Sequence, residues 1–290
     1  MSVRATKTLS AITSRHQLPQ AQRLVVKVGS SSLTTVDGGI SHERLSALVD
    51  ALAATVKAGT EVVLVSSGAV AAGLAPLGLA KRPKDLATQQ AAAAVGQNVL
   101  IYRYQDALRP FAIVTGQVLL TAGDLENPTH RSNARRAMER LLGLRILPIV
   151  NENDTVATHE IRFGDNDRLA ALVAQLIGAD ALVLLSDIEC LYTRPPGEPG
   201  ARPIDRVEFG DDLHGFEFGS VVVNSVGTGG AATKVSAARL AATAGVGVLV
   251  TSADLVEEAL WGAEIGTWFA PNPAAPVPAG TSPVHTSSTI

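Results

Sequence analysis

A lysine inside an apolar strand is the first residue that demands a chemical reason. In Val25-Val26-Lys27-Val28-Gly29-Ser30 it stands immediately before a glycine turn, and burying an unpaired ammonium is expensive. Two readings fit. The side chain snorkels to solvent from an edge strand, or it is aimed at phosphate oxygens while Gly29 and Ser30 let backbone amides approach the same anion. A second cation stands in a comparable setting. Gly227-Thr228-Gly229-Gly230 precedes an Ala-rich stretch bearing Lys234, bringing together free amides, a helix N-terminus and an ammonium group, the parts of a phosphate site. The lysine does not follow a G-x-x-x-x-G frame, and the run is not a G-x-G-x-x-G fingerprint. By itself the glycine run suits a plain tight turn equally well.

Carboxylates supply the complementary charge. Asn151-Glu152-Asn153-Asp154 and Gly164-Asp165-Asn166-Asp167 crowd acids and amides into two short loops. Such residues can merely solvate turns, but charges of one sign this close repel unless something cationic sits among them. A ligand ammonium, a magnesium ion or the two lysines would serve. The spacing of Asp165 and Asp167 does not match an EF-hand loop. Ser66-Ser67-Gly68-Ala69 suits a helix N-cap, and it would equally offer amides and a hydroxyl to a substrate carboxylate.

These groups must be held by regular elements. Short β-branched runs recur at Leu24-Val28, Glu61-Val65, Ala112-Val118, Ile146-Val150, Ala181-Leu185 and Gly247-Val250. Runs apolar at nearly every position suit strands covered on both faces, as in a parallel sheet between helix layers. Helical stretches alternate with them at His42-Ala58, Leu86-Ala107, Ser132-Leu142, Asp167-Ile177, Ala231-Ala244 and Leu255-Trp261. The alternation predicts an α/β fold. In such sheets ligands bind beyond the carboxyl ends of the strands, which is where Lys27, Ser67, Asn151 and Ser186-Asp187 fall.

The 290 residues, 46% of them apolar, suit a single large domain. Residues 21–270 are expected to form it, with 1–20 a flexible extension and 271–290 a flexible tail rich in Pro, Ser and Thr. A net charge of −3 without a long Lys/Arg run gives no reason to expect nucleic acid or an anionic membrane as partner. With one cysteine, Cys190, and no signal-like or spanning apolar segment, the expected location is the cytoplasm.

Six segments together carry a resemblance. VVKVGSSSLT at 25–34, VSSGAVAAGLAPLGL at 65–79, LPIVNENDTVA at 147–157, IRFGDNDRLAALVA at 161–174, LLSDIECLYT at 184–193 and GTGGAATKVSAA at 227–238 resemble the glutamate 5-kinase family of the amino acid kinase superfamily. The resemblance spans roughly residues 23–270, with every motif in order. It implies a three-layer α/β sandwich with a mainly parallel central sheet, and ATP-dependent phosphorylation of L-glutamate at its γ-carboxylate, the first step of proline biosynthesis. It implies Mg²⁺ as well as ATP, a homodimer or homotetramer, and proline as a feedback inhibitor.

Site residues follow from the same resemblance. Lys27 and Lys234 match the lysines that hold the transferring phosphoryl group, and Asp167 the carboxylate that orients them. Ser186, Asp187 and Thr228, Gly229, Gly230, Ala231, Ala232, Thr233 and Lys234 match the nucleotide site. Ser67, Asp154 and Asn166 match the glutamate positions, with Asn151 and Gly68 close by. An acceptor carboxylate is already ionised at neutral pH, so no general base is required and catalysis reduces to positioning and charge stabilisation.

The chain departs from the family pattern at several places. Ala231-Ala232 follow the glycines where a methionine is common, Glu189-Cys190 stand where a glycine is usual, and His159 replaces a common acid. The C-terminal PUA domain of many members is not expected here. The nearest alternative is a superfamily kinase acting on acetylglutamate, aspartate, carbamate or a nucleotide, which the NEND and GDND loops disfavour. A proline- or glutamate-binding regulatory paralogue is the other, disfavoured by both lysines and Asp167.

Overall fold

The computed structural model describes residues 11–34, 39–156, 166–214 and 230–275. Its strands are β1 (Arg23–Val28), β2 (Glu61–Ser66), β3 (Thr115–Leu120), β4 (Leu147–Glu152), β5 (Ala181–Ser186), β6 (Leu191–Tyr192), β7 (Pro203–Ile204), β8 (Arg206–Val207), β9 (Gly247–Ser252) and β10 (Thr267–Phe269). Eight of them make one sheet in the order β3-β4-β2-β1-β5-β9-β10-β8. Only the β9–β10 pairing in it is antiparallel, so the sheet is mainly parallel. β6 and β7 form a separate antiparallel ribbon.

The helices are α1 (Ser30–Leu33), α2 (His42–Lys57), α3 (Ala69–Leu74), α4 (Leu86–Leu108), α5 (Ala122–Glu126), α6 (Pro128–Gly143), α7 (Asn166–Ile177), α8 (Ala231–Thr243) and α9 (Val256–Leu260). They cover both faces of the sheet. Val25, Val63, Leu182 and Val248 pack with Met138, Leu169 and Val235 from α6, α7 and α8. Leu24, Val26, Leu64 and Leu249 pack on the other face with Leu48, Leu100, Tyr104 and Val256 from α2, α4 and α9. This is the expected three-layer sandwich. It also assigns a side to Lys27: alternate strand residues share a face, so Lys27 lies with Val25 on the α7/α8 side.

Several boundaries differ from the sequence reading. The apolar run at 112–118 begins as a turn, because Ala112 closes a 3₁₀ turn (Arg109–Phe111) with φ of 58°. β3 therefore starts at Thr115. Helix α6 starts at Pro128, where Asn127 accepts from the amides of Thr129 and His130, a cap-and-proline signal present in the sequence.

The first residues depart more. Within the stretch expected to be a flexible extension, residues 11–20 are packed. Ile12 and Leu18 are buried in the α2/α9 core, and a 3₁₀ segment spans Arg15–Gln20. Buried Arg15 donates to the carbonyls of Ile265, Gly266 and Asp205 and pairs with the Asp205 carboxylate at 2.7 Å. The indole of Trp268 donates to the Thr13 carbonyl at 3.0 Å. The sequence of this stretch lacks apolar periodicity because it docks through backbone carbonyls and isolated side chains. Packing also runs past residue 270: Pro271 is buried and the Asn272 amide donates to Ala242 O. Residues 276–290 lie outside the described residues.

Candidate active site

Four parallel strands, β4, β2, β1 and β5, end side by side, and the carboxyl end of each carries a polar group. Lys27 arrives from β1, Ser66 from β2, Asn151 from β4 and Ser186 from β5. Helix α7 starts against these ends, and its first two residues reach in different directions.

Asp167 is fully buried and takes one lysine on each carboxylate oxygen. Lys27 Nζ stands 2.5 Å from Oδ1 and Lys234 Nζ 3.0 Å from Oδ2, with the two lysine side chains 4% and 8% exposed. A single buried carboxylate thus fixes two ammonium groups that come from opposite ends of the chain. Two ammonium groups held on one carboxylate in a low-dielectric setting present preset positive charge to an incoming anion. Gly29 follows the strand directly, and a Cβ there would stand 3.7 Å from Lys27 Nζ, an ordinary contact distance.

Asn166 faces the other way. Its Nδ2 donates to the Ser66 carbonyl at 2.9 Å and to Asn151 Oδ1 at 2.8 Å. Asn151 Oδ1 also accepts the Glu152 amide, and Asn151 Nδ2 donates to Gln97 Oε1 at 2.7 Å. The ends of β2 and β4 are thereby tied to one another and to α4. Ser66 Oγ meets Tyr104 OH at 2.9 Å. Burial pushes the Tyr104 hydroxyl far above the ordinary tyrosine range, against the opposing influence of that bond, so the phenol stays protonated.

Ser67 and Gly68 follow on the β2–α3 turn. Ser67 is half-buried and its amide donates to Val28 O at 3.2 Å. Gly68 adopts φ of 103°, a left-handed conformation that a side chain would resist. Helix α3 behind it is pressed onto α4: a Cβ on Gly73 would overlap the Ala92 carbonyl oxygen, and one on Gly96 the Ala69 carbonyl oxygen. The turn is held by backbone contact. Asp154 is half-buried on the turn after β4.

On the other side of the lysines, Ser186 Oγ donates to Asp187 Oδ1 at 3.1 Å, the serine buried and the aspartate exposed. Thr233 Oγ1 accepts the Gly230 amide and donates to the Gly230 carbonyl, closing the first turn of α8. Ala231 and Ala232 occupy that turn, Ala232 exposed, and Lys234 points inward. Thr228 and Gly229 lie outside the described residues, as do Asp165 and His159. Among the altered positions, Cys190 is half-buried, and burial raises its thiol above the ordinary value.

The structure joins Lys27 and Lys234 through Asp167, and Asn166 to Asn151, with Ser67, Asp154 and Ser186 at or just beyond the strand ends and Gly230 capping α8. Gln97 and Tyr104 are parts of this network that sequence reasoning missed. The signal was present: Gln97, Leu100, Tyr104 and Leu108 recur at helical spacing on the buried stripe of α4, and an amide on such a stripe requires a partner.

The chain is similar to known proteins. Residues 22–252 match the amino acid kinase family. A glutamate 5-kinase of Clavibacter sepedonicus is 66% identical, over 89% of this chain and 98% of that protein. One of Salinispora arenicola (strain CNS-205) is 57% identical over 90% of this chain and 71% of that protein. Among solved structures, the carbamate kinase from Giardia lamblia bound to AMP-PNP superposes with a TM-score of 0.63 at 16% identity, covering 88% of this chain and 100% of that one. That likeness concerns the fold.

Proposed function

Since this chain belongs to the glutamate 5-kinases of the amino acid kinase family, we propose that its strand-end site transfers the γ-phosphoryl group of ATP to the γ-carboxylate of L-glutamate. A carboxylate oxygen attacks the γ-phosphorus while the bond to the β–γ bridging oxygen breaks. ADP departs with that electron pair, and L-glutamyl 5-phosphate forms. The observation that carries the reading is the Asp167 clamp, which holds two buried ammonium groups on one carboxylate.

The clamp suits the charge problem of this reaction. Two anions must approach one another, and charge spreads over the equatorial oxygens as the phosphoryl group moves in line. Lys27 and Lys234, preset by Asp167, meet that charge without reorganising, and one lost preorganised donor typically costs about 3 kcal/mol. The amides at the N-terminus of α8, Ser186 and Asp187 would hold the nucleotide, with Thr228 and Gly229 ahead of the helix. Asn166 and Ser67 would hold the amino acid, and Asp154 its α-ammonium group.

Magnesium would enter with the nucleotide. Among the described residues no group of three or more His, Cys, Asp or Glu is placed to hold a metal ion, and Asp167 is engaged by both lysines. Such an ion, held with the nucleotide, would supply charge neutralisation beside Lys27 and Lys234. A cytoplasmic homodimer or homotetramer inhibited by proline completes the reading; no described helix is long and apolar enough to cross a membrane.

The deciding measurement is ATP turnover with and without L-glutamate, beside aspartate, acetylglutamate and carbamate. Glutamate-dependent release of ADP is expected. Turnover with another acceptor in its place would overturn the assignment.

A further inference from the structure

The amide network at the β2 and β4 exits has a direction, and the direction can be derived. A backbone carbonyl only accepts, so the group of Asn166 facing Ser66 O must be Nδ2, which gives its second hydrogen to Asn151 Oδ1. The Glu152 amide only donates, and it also reaches Asn151 Oδ1. Asn151 is therefore fixed with its Nδ2 outward, toward Gln97, and Gln97 must present Oε1 to it at 2.7 Å. Every side-chain amide in the chain is oriented by backbone groups at the far end.

Gln97 is the last member and stands on rigid ground. It is 7% exposed. The preceding residue, Gly96, packs its α-carbon against the Ala69 carbonyl of α3 so closely that no Cβ fits. Helix α3 begins directly after the Ser67-Gly68 turn. The same helix α4 therefore touches both halves of the pocket, one through Gly96 and one through Gln97. Its amide nitrogen Nε2, also buried, has no hydrogen-bond partner among the described residues. Leaving a buried donor unmatched is costly, which is inconsistent with a side chain retained for packing alone.

We infer that Gln97 is a positioning residue for the amino-acid substrate, acting through Asn151 and Asn166 to fix the distance between the β2–α3 turn and the β4 exit. This rests on the assignment of Ser67, Asp154 and Asn166 to glutamate binding. Its effect belongs to glutamate affinity, because the chain Gln97–Asn151–Asn166–Ser66 contains no member of the lysine clamp or of the α8 N-terminus.

Steady-state kinetics on the full chain separate the possibilities. Gln97→Met preserves side-chain length and volume while removing the acceptor. It is expected to raise KM for glutamate about tenfold or more, with KM for ATP changed less than about twofold. Gln97→Glu, which keeps an oxygen facing Asn151 Nδ2, is expected to recover most of that loss at the acidic end of the working range, where a buried carboxyl is protonated, and less as pH rises. A wild-type KM for glutamate in Gln97→Met overturns the proposal, as does equal impairment of both variants at every pH. Should Gln97→Met not fold, Gln97→Asn withdraws the oxygen by one methylene. The same selective KM shift is expected of it, and a normal KM would overturn the proposal. If the wild-type protein shows no glutamate-dependent turnover, the assigned substrate fails instead, an outcome visible before any variant is compared.

Discussion

Asn166 and Asp167 are neighbours in the chain and face different halves of the site. The first binds the ends of β2 and β4, and the second binds Lys27 of β1 and Lys234 of α8. Consecutive residues at a helix start diverge by roughly 100° around its axis, so one helix terminus serves as the junction between an acceptor side and a phosphoryl side.

The clamp predicts unequal effects from its members. In Lys234→Ala, Asp167 keeps Lys27, so the fold should persist while turnover falls at least about 100-fold through loss of a charge partner in the transition state. In Asp167→Ala, two buried ammonium groups lose the counter-charge they share, and the loss of stability should reach about 3–5 kcal/mol. Denaturant titration beside kinetics checks the contrast. Near-normal turnover in Lys234→Ala would remove that lysine from the mechanism.

Asp154 sits half-buried on the turn after β4, and the resemblance assigns it to the amino-acid substrate. Asp154→Ala should therefore weaken glutamate binding about tenfold or more while ATP binding persists, because one desolvated ion pair with the substrate ammonium is lost. Calorimetry with each ligand separately is the test. Collapse of ATP affinity would mean the two sites are exchanged.

Tyr104 is held neutral by burial, and its hydroxyl meets Ser66 beneath the substrate turn. Tyr104→Phe should cost about 1 kcal/mol of stability, the ordinary worth of one such bond. Absorbance titration should show no loss of an ionising phenol near pH 10, where exposed tyrosines titrate. A titration step missing from the variant would show that Tyr104 is accessible.

At the other end of the chain, Asn272 closes α8: its amide donates to Ala242 O and its side chain to Thr243 O. A chain ending at Ala275 should retain activity and melting temperature. One ending at Ala270 should lose about 1–2 kcal/mol, one or two hydrogen bonds' worth, with α8 and hence Lys234 less firmly seated. Equal stability of the two chains would place the boundary at 270.

The central fold was legible because its strands are buried on both faces and so read as continuous apolar runs. The clamp residues were legible as types, a lysine in a strand and an aspartate at a helix start. What the sequence does not display is pairing across distance. Nothing local indicates that Lys27 and Lys234 share one carboxylate, and Gln97 and Tyr104 are hidden in a helix that also carries several other Gln and Tyr residues. Arg15 was missed for the same reason, since its partners are backbone carbonyls about 190 to 250 positions away.

That strap around Arg15 has a consequence for how the protein is made. Thr13 and Arg15 leave the ribosome about 190 to 255 residues ahead of their partners Asp205, Ile265 and Trp268. At about 5–20 residues per second, the N-terminal segment waits on the order of tens of seconds before its docking surface exists. During synthesis it is expected to remain open to proteases and chaperones while β1, β2 and β4 already assemble beside it. Closure of the strap then waits on the synthesis of β10, so a nascent protein stalled before β10 should be cut near Arg15 and a released one protected there.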